Sequence, residues 1–403
     1  MSVMTDSATI TGLTPGGSYN VSISAVSLDN ITTGDSVVTS SSTRPEKITN
    51  LSVTNNSTNT LFLTWTAPSG LHSYYIVNAV NISGNSLTNM SVMSESAIIT
   101  GLTPGGSYNV SISAVSLDNT TTGDSVVTSR FTRPEKITNL SVRNNSTNTL
   151  FLTWTAPSGL QSYYIVNAVN ISGNLLTNMI VMTDSATITG LTPGGSYNVS
   201  VSAVSWDNTT TGDSVVTSSS TRPEKITNLS VRNNSTNTLF LTWTAPSGLH
   251  SYYIVNAVNI SGNLLTNMTV MSDSATITGL TAGGYYNVSI SAVSWDNTTT
   301  GDSVVTSSST RPEKITNLSV RNNSTNTLFL TWTAPSGLHN YYILNAVNIN
   351  GSSLSNMSVM TDSATITGLT PGGSYNVSIS AVSWDNTTTG DSVVTSSSTS
   401  KCF

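Results

Sequence analysis

A single cysteine, Cys402, stands in a chain of 403 residues, so no disulfide within the chain can hold it together. Charge is scarce too: Asp, Glu, Lys and Arg make up 8 % of the residues, against roughly 25 % in an average globular protein. Ser, Thr and Asn must therefore carry the solubility. The net charge of −6 comes with no basic stripe, because the few Lys and Arg sit near repeat boundaries, and nucleic acid is excluded as a partner. No run of about 18 or more apolar residues occurs. Any membrane attachment is expected only through a segment outside this chain. The spacings of chemistry are missing as well: no His-Glu-x-x-His, no Gly-rich phosphate loop, no Ser-His-Asp order and no phosphate-binding Cys-x5-Arg loop. The chain reads as not an enzyme, with no catalytic residue, cofactor or metal site expected.

What the chain has is repetition. The stretch GLTPGGSYNVSISAV at Gly101–Val115 returns, with at most small changes, at Gly12–Val26, Gly190–Val204, Gly279–Val293 and Gly368–Val382, each copy 89 residues after the last. Tandem copies of one folding unit follow. Boundaries fall at the RPEK tetrapeptides Arg44–Lys47, Arg133–Lys136, Arg222–Lys225 and Arg311–Lys314, where proline cannot donate to a strand ladder. The expected domains are 1–43 (the C-terminal half of a unit), 44–132, 133–221, 222–310 and 311–399, with a tail at 400–403. Because Met1–Asp6 repeats Met357–Asp362 from the middle of a unit, the chain is expected to be a fragment. A unit of this length can bury one modest core without metal or disulfide.

Within 222–310 hydrophobicity alternates with period two and nowhere with a helical period. The pattern predicts strands at Ile226–Val231, Thr238–Thr244, Ser251–Asn259, Asn267–Ser272, Ala275–Thr278, Tyr286–Ser294 and Asp302–Ser308. Seven short strands in so few residues predict an all-β fold, a seven-stranded antiparallel sandwich of immunoglobulin-like build repeated along the chain. Leu229 and Val231, then Leu239, Leu241 and Trp243, face inward, Thr242 faces water, and Phe240 is left as an exposed aromatic. The third strand, SYYIVNAVN, is apolar on both faces, so its register stays open.

A Pro-led first strand with NLSV, a TWTAP second strand with Trp243, and a Leu-x-Pro-Gly-x-x-Tyr turn before the sixth strand resemble fibronectin type III domains. The resemblance runs to Thr399. It implies a core tryptophan at Trp65, Trp154, Trp243 and Trp332, and a tyrosine corner at Tyr19, Tyr108, Tyr197, Tyr286 and Tyr375, the hydroxyl bonding to backbone upstream. In one unit Ala282 replaces the turn proline, which should leave the fold intact. The wording NLSV, the Asn-rich hairpin and LFLTW is similar to the ectodomain repeats of receptor-type tyrosine-protein phosphatases.

The strongest chemical signal is the density of Asn-x-Ser/Thr acceptors, 29 in all. Composition alone makes many of them, so placement decides. Predicted carriers of N-linked glycans are Asn20, Asn30, Asn50, Asn81, Asn109, Asn119, Asn139, Asn170, Asn198, Asn208, Asn228, Asn259, Asn287, Asn297, Asn317, Asn376 and Asn386; alternation on the first and sixth strands aims Asn228 and Asn287 at water, and Asn297 lies in the loop between the sixth and seventh strands. Trp206, Trp295 and Trp384 lie two residues before Asn208, Asn297 and Asn386; they are expected either against the first sugar or partly buried in the loop. His72, His250 and His339, with Gln161 in the same place, read as surface loop residues, since one imidazole per unit cannot make a zinc site. Asp273, Asp296 and Asp302 recur in turn positions and read as structural, the alternative being calcium at the boundaries.

The expected function is a non-catalytic extracellular array for adhesion or spacing, part of a cell-surface receptor ectodomain, with an unknown protein or glycan ligand. Its short proline-stiffened joins predict an extended rod. The alternatives are the ectodomain of a receptor-type tyrosine phosphatase whose catalytic part lies elsewhere, and the linker modules of a secreted enzyme. Cys402, if outside the cell, would be a thiol available for linking chains.

Overall fold

The computed structural model describes every residue except 56, 145, 234, 402 and 403. The thiol expected of Cys402 lies outside the described residues. Thirty strands and no helix occur among those described. In 222–310 seven strands run at Thr227–Arg232, Leu239–Thr244, Tyr252–Asn259, Leu264–Val270, Ser274–Ile277, Tyr285–Val293 and Val304–Ser309. The first, second and fifth form one antiparallel sheet; the fourth, third, sixth and seventh form the other. The same two sheets recur in 44–132, 133–221 and 311–399, while residues 1–43 hold only the pair Ser18–Ile23 and Val37–Ser42.

Alternation explains the core. Leu239, Leu241 and Trp243 are buried on the second strand, and Tyr253, Val255 and Ala257 on the third, so the doubly apolar third strand settles with its first tyrosine, Tyr252, on the outer face. Trp243 packs edge to face on Tyr253 at 5.1 Å, a geometry that adds to the area it buries. Leu229 and Val231 pack on this core from its rim. Phe240 is 40 % exposed, as its register requires, while Thr242, expected in water, is half-buried.

Two expectations are corrected. The first strand was expected to alternate through Asn228; instead its pairing slips between Thr227 and Ser230, and Asn228 sits at φ +53. Asparagine tolerates that left-handed backbone better than most residues. The fourth strand begins at Leu264 rather than Asn267, because Leu264 and Leu265 are both exposed and hide the period.

The tyrosine corner is present. The Tyr286 hydroxyl accepts the Thr281 N–H at 2.8 Å and donates to its carbonyl at 3.2 Å. The bond to the backbone N–H at Tyr108, with proline in the turn, is 2.7 Å, so Ala282 leaves the corner unchanged. Tyr19 keeps the same bond at 2.8 Å but is only half-buried, its own strand having a single partner strand in residues 1–43.

By contact density the chain divides into two compact units, residues 1–143, 151–188 and 198–218 in one and 144–150, 189–197 and 219–403 in the other.

Candidate functional site

The recurring feature that uses side chains from two repeats at once is the joint between them. In the second unit the Pro-Gly-Gly turn of one repeat receives the Pro-Ser-Gly-Leu loop of the next. The Leu249 N–H donates to the Pro193 carbonyl at 2.8 Å, and the Trp295 N–H to the Gly194 carbonyl at 3.0 Å. The Leu338 N–H repeats the first bond to Ala282 at 2.8 Å. Gly194 has φ +69, and a Cβ there would stand 1.8 Å from the Leu249 oxygen. Glycine is required by conformation and by space together.

The first unit builds its joints the same way. Leu71 donates to Pro15 at 2.8 Å and Leu160 to Pro104 at 2.9 Å. A Cβ on Gly105 would lie 1.8 Å from the Leu160 oxygen. Asn55 reaches from the hairpin after the first strand to the Thr210 Oγ1 of the next repeat at 3.1 Å and to the Phe131 carbonyl at 2.9 Å. In the second unit Asn144 matches it, on Thr299 Oγ1 at 2.7 Å and the Ser220 carbonyl at 3.0 Å, and Asn233 bonds Thr388 Oγ1.

The recurring aspartates have distinct partners. Asp296 accepts the Ser294 hydroxyl at 2.7 Å within its own loop and the Ser220 hydroxyl from the preceding repeat. Burial alone would push its pKa up; hydrogen bonds from Ser220, Ser294 and Thr298 outweigh that and hold the carboxyl below the usual carboxylate range. Asp385 is lowered in the same way, burial again opposing, with the Ser383 hydroxyl donating to it at 2.7 Å. Asp118 is lowered chiefly by the Ser42 hydroxyl. Asp302 pairs with Arg222 of its own RPEK segment, an exposed pair contributing at most about 1 kcal/mol.

Asp273 instead accepts the Tyr253 hydroxyl at 2.7 Å at the core's edge. Burial, with help from that carboxylate, raises the tyrosine's pKa. In 133–221 the same pair, Tyr164 and Asp184, pushes the phenol up to about 12. The unit 44–132 has Glu95 here, and Tyr75 meets His72 Nε2 at 2.9 Å instead. The histidines were expected as plain surface residues. They are half-buried, His250 and His339 each lying 4.8 Å from the buried tyrosine ring.

The predicted glycan acceptors fall into four settings. Asn20, Asn109, Asn198, Asn287 and Asn376 point outward from the sixth strand and accept a neighbouring serine hydroxyl through Oδ1. Asn50, Asn139, Asn228 and Asn317 occupy the first-strand bulge, where Nδ2 donates one bond to a threonine Oγ1 at 3.2 Å. Asn30, Asn119, Asn208, Asn297 and Asn386 sit exposed at positive φ in the loop after the sixth strand. Asn81, Asn170 and Asn259 start the hairpin after the third strand, half-buried, with Oδ1 accepting a backbone N–H at 2.9 Å. Beside the loop sites, Trp206, Trp295 and Trp384 are exposed, Trp295 by 50 %. Trp65, Trp154, Trp243 and Trp332 are buried, as are Tyr108, Tyr197, Tyr286 and Tyr375. Sequence reasoning missed the joint residues Gly105, Gly194, Gly283, Asn55 and Asn144; the available signal was the Gly-Gly pair kept at this turn in every repeat, even where Ala282 replaces the proline.

Seven-stranded sandwiches meeting turn against loop define a tandem array of immunoglobulin-like β modules. Residues 45–128, 134–218, 223–307 and 312–396 each match the fibronectin type III domain family, and the chain belongs to that family, whose domains are non-catalytic modules. It is 32 % identical over 400 residues to receptor-type tyrosine-protein phosphatase eta of Gallus gallus, covering 97 % of this chain and 28 % of that protein. It is 26 % identical over 348 residues to tenascin of Gallus gallus, covering 84 % of this chain and 19 % of that protein. The chain thus spans less than a third of the length of these relatives. A two-domain fibronectin type III segment from chicken tenascin aligns with TM-score 0.34 and 23 % identity over 43 % of this chain and 99 % of that one.

Proposed function

We propose that this chain is an extracellular array that spaces and presents surfaces for adhesion, part of a cell-surface receptor ectodomain. The observation that carries the reading is the joint: within each unit the same turn, loop and hydrogen bonds recur between one repeat and the next, so the repeats meet through a built contact and not only through a free linker. Likeness to a receptor phosphatase and to tenascin supports an extracellular setting. Exposed asparagines on the sixth strand and its following loop leave room for N-linked glycans, and the polar Ser/Thr/Asn surface suits a coat of sugar. The chain itself performs no catalysis in this reading.

A second reading, an ectodomain region of a receptor-type tyrosine phosphatase, is favoured by the match to phosphatase eta along nearly the whole chain. Sequencing the full-length transcript tests both. A membrane span followed by a Cys-x5-Arg loop supports the phosphatase; a span without one supports a receptor of another kind; a transcript with no span and no secretion signal overturns the extracellular receptor.

A further inference from the structure

Asn55, Asn144 and Asn233 were not among the predicted glycan carriers, yet each opens an Asn-Asn-Ser acceptor sequence. Their setting differs from every predicted site. Asn144 Nδ2 donates to the Ser220 carbonyl at 3.0 Å and to Thr299 Oγ1 of the next repeat at 2.7 Å. Asn55 does the same at 2.9 and 3.1 Å. Both amide hydrogens are in use, and one of them crosses the joint. By contrast Asn228 Nδ2 makes one bond within its own repeat, and Asn287 is engaged through Oδ1, leaving its nitrogen outward. In the last repeat, Asn322 is exposed and bonds Ser400 Oγ at 2.6 Å.

N-glycosylation replaces one amide hydrogen by a bond from Nδ2 to the anomeric carbon of an oligosaccharide carried on a lipid pyrophosphate. The pyrophosphate leaves with the electron pair, and the displaced proton goes to base. The nitrogen then keeps one N–H and cannot serve two acceptors. A sugar attached there must also fill the space now held by Ser220 O or Thr299 Oγ1, both within hydrogen-bond distance.

We propose that Asn55 and Asn144 form a modification-controlled lock: a glycan on the amide nitrogen and a closed joint exclude each other. Bare, the asparagine ties its repeat to the next; glycosylated, it frees that joint while both sandwiches stay folded. Thr299 deepens the coupling, because it is also the hydroxyl residue of the Asn297 acceptor sequence. An array could then carry stiff or hinged joints according to how these asparagines were modified.

The inference rests on passage through a secretory pathway, and two arms separate it from that reading. In the first, the whole chain is secreted from a eukaryotic cell line, glycan occupancy is mapped by peptide mass spectrometry, and amide exchange is followed at Leu249. Molecules bearing a glycan at Asn144 should exchange that amide about tenfold faster or more; a chain in which Asn287 is occupied and Asn144 bare also supports exclusion. Glycan at Asn144 with Leu249 still protected overturns the lock. In the second arm the unmodified chain from bacteria is compared with Asn144→Ala. Faster exchange at Leu249 with no change at Leu241, inside the sandwich, is expected, and equal exchange at Leu249 overturns the lock whether or not any site carries sugar. Absence of glycan from every site in the first arm counts against the extracellular reading alone.

Discussion

Replacing Gly194 by alanine tests whether the joint is specific. Alanine at φ +69 costs about 1–2 kcal/mol of backbone strain. The added Cβ would stand 1.8 Å from the Leu249 oxygen, about half of an ordinary contact of about 3.5–4.0 Å. Both partners are backbone, so the turn and the loop must part. Parting them removes the Leu249 bond to Pro193 and the Trp295 bond to Gly194. At about 0.5–1.5 kcal/mol each, the joint loses about 1–3 kcal/mol, a rise of roughly five- to 150-fold in opening. Hydrogen exchange at the Leu249 and Trp295 amides reads this directly. Gly262→Ala is the control: Gly262 has φ +79 and nothing within 4 Å of an added Cβ, so it carries the same strain and no clash. If Leu249 and Trp295 exchange alike in the two variants, the joint is not held as described.

Other outcomes follow from the core and its titrating groups. Trp243→Ala empties a site that is 6 % exposed and should cost about 3–5 kcal/mol; calorimetry should show one transition falling and the rest in place. Asp296 and Asp385 have folded pKa values below their unfolded ones, so their stabilisation is present above about pH 4 and is lost as pH falls through the folded values; exchange at Leu249 and Leu338 should accelerate in acid before the sandwiches unfold. Tyr253→Phe leaves the Asp273 carboxylate without its hydroxyl partner and should destabilise that repeat by about 1–3 kcal/mol in chemical denaturation. Asn287→Gln should remove one glycan from the secreted chain without shifting its melting temperature.

Much of the sandwich was legible because period-two alternation is a direct image of one buried face per strand. Leu239, Leu241 and Trp243 could be assigned inward from spacing alone. Where both faces are apolar, as at Tyr252–Val258, spacing carries no information, and only pairing against Leu264–Val270 and Tyr285–Val293 fixes the register. The bulge at Asn228 was hidden because asparagine reads as an ordinary polar residue until its φ is known. The joint was hidden for a deeper reason. Gly194, Leu249 and Asn144 meet only after separate repeats have folded, and nothing local in the chain records that encounter. Its one trace is the retention of Gly-Gly and Pro-Ser-Gly in step.

The central claim is that each repeat is its own cooperative unit in an array joined by small, separable contacts. Pulling the chain from its ends with a force probe tests this most directly. Each full repeat of 89 residues should release about 290–320 Å of extended chain, less a folded span of roughly 30 Å, in separate and equal steps, one per repeat. Fewer and larger steps, with neighbouring repeats failing together, would contradict it.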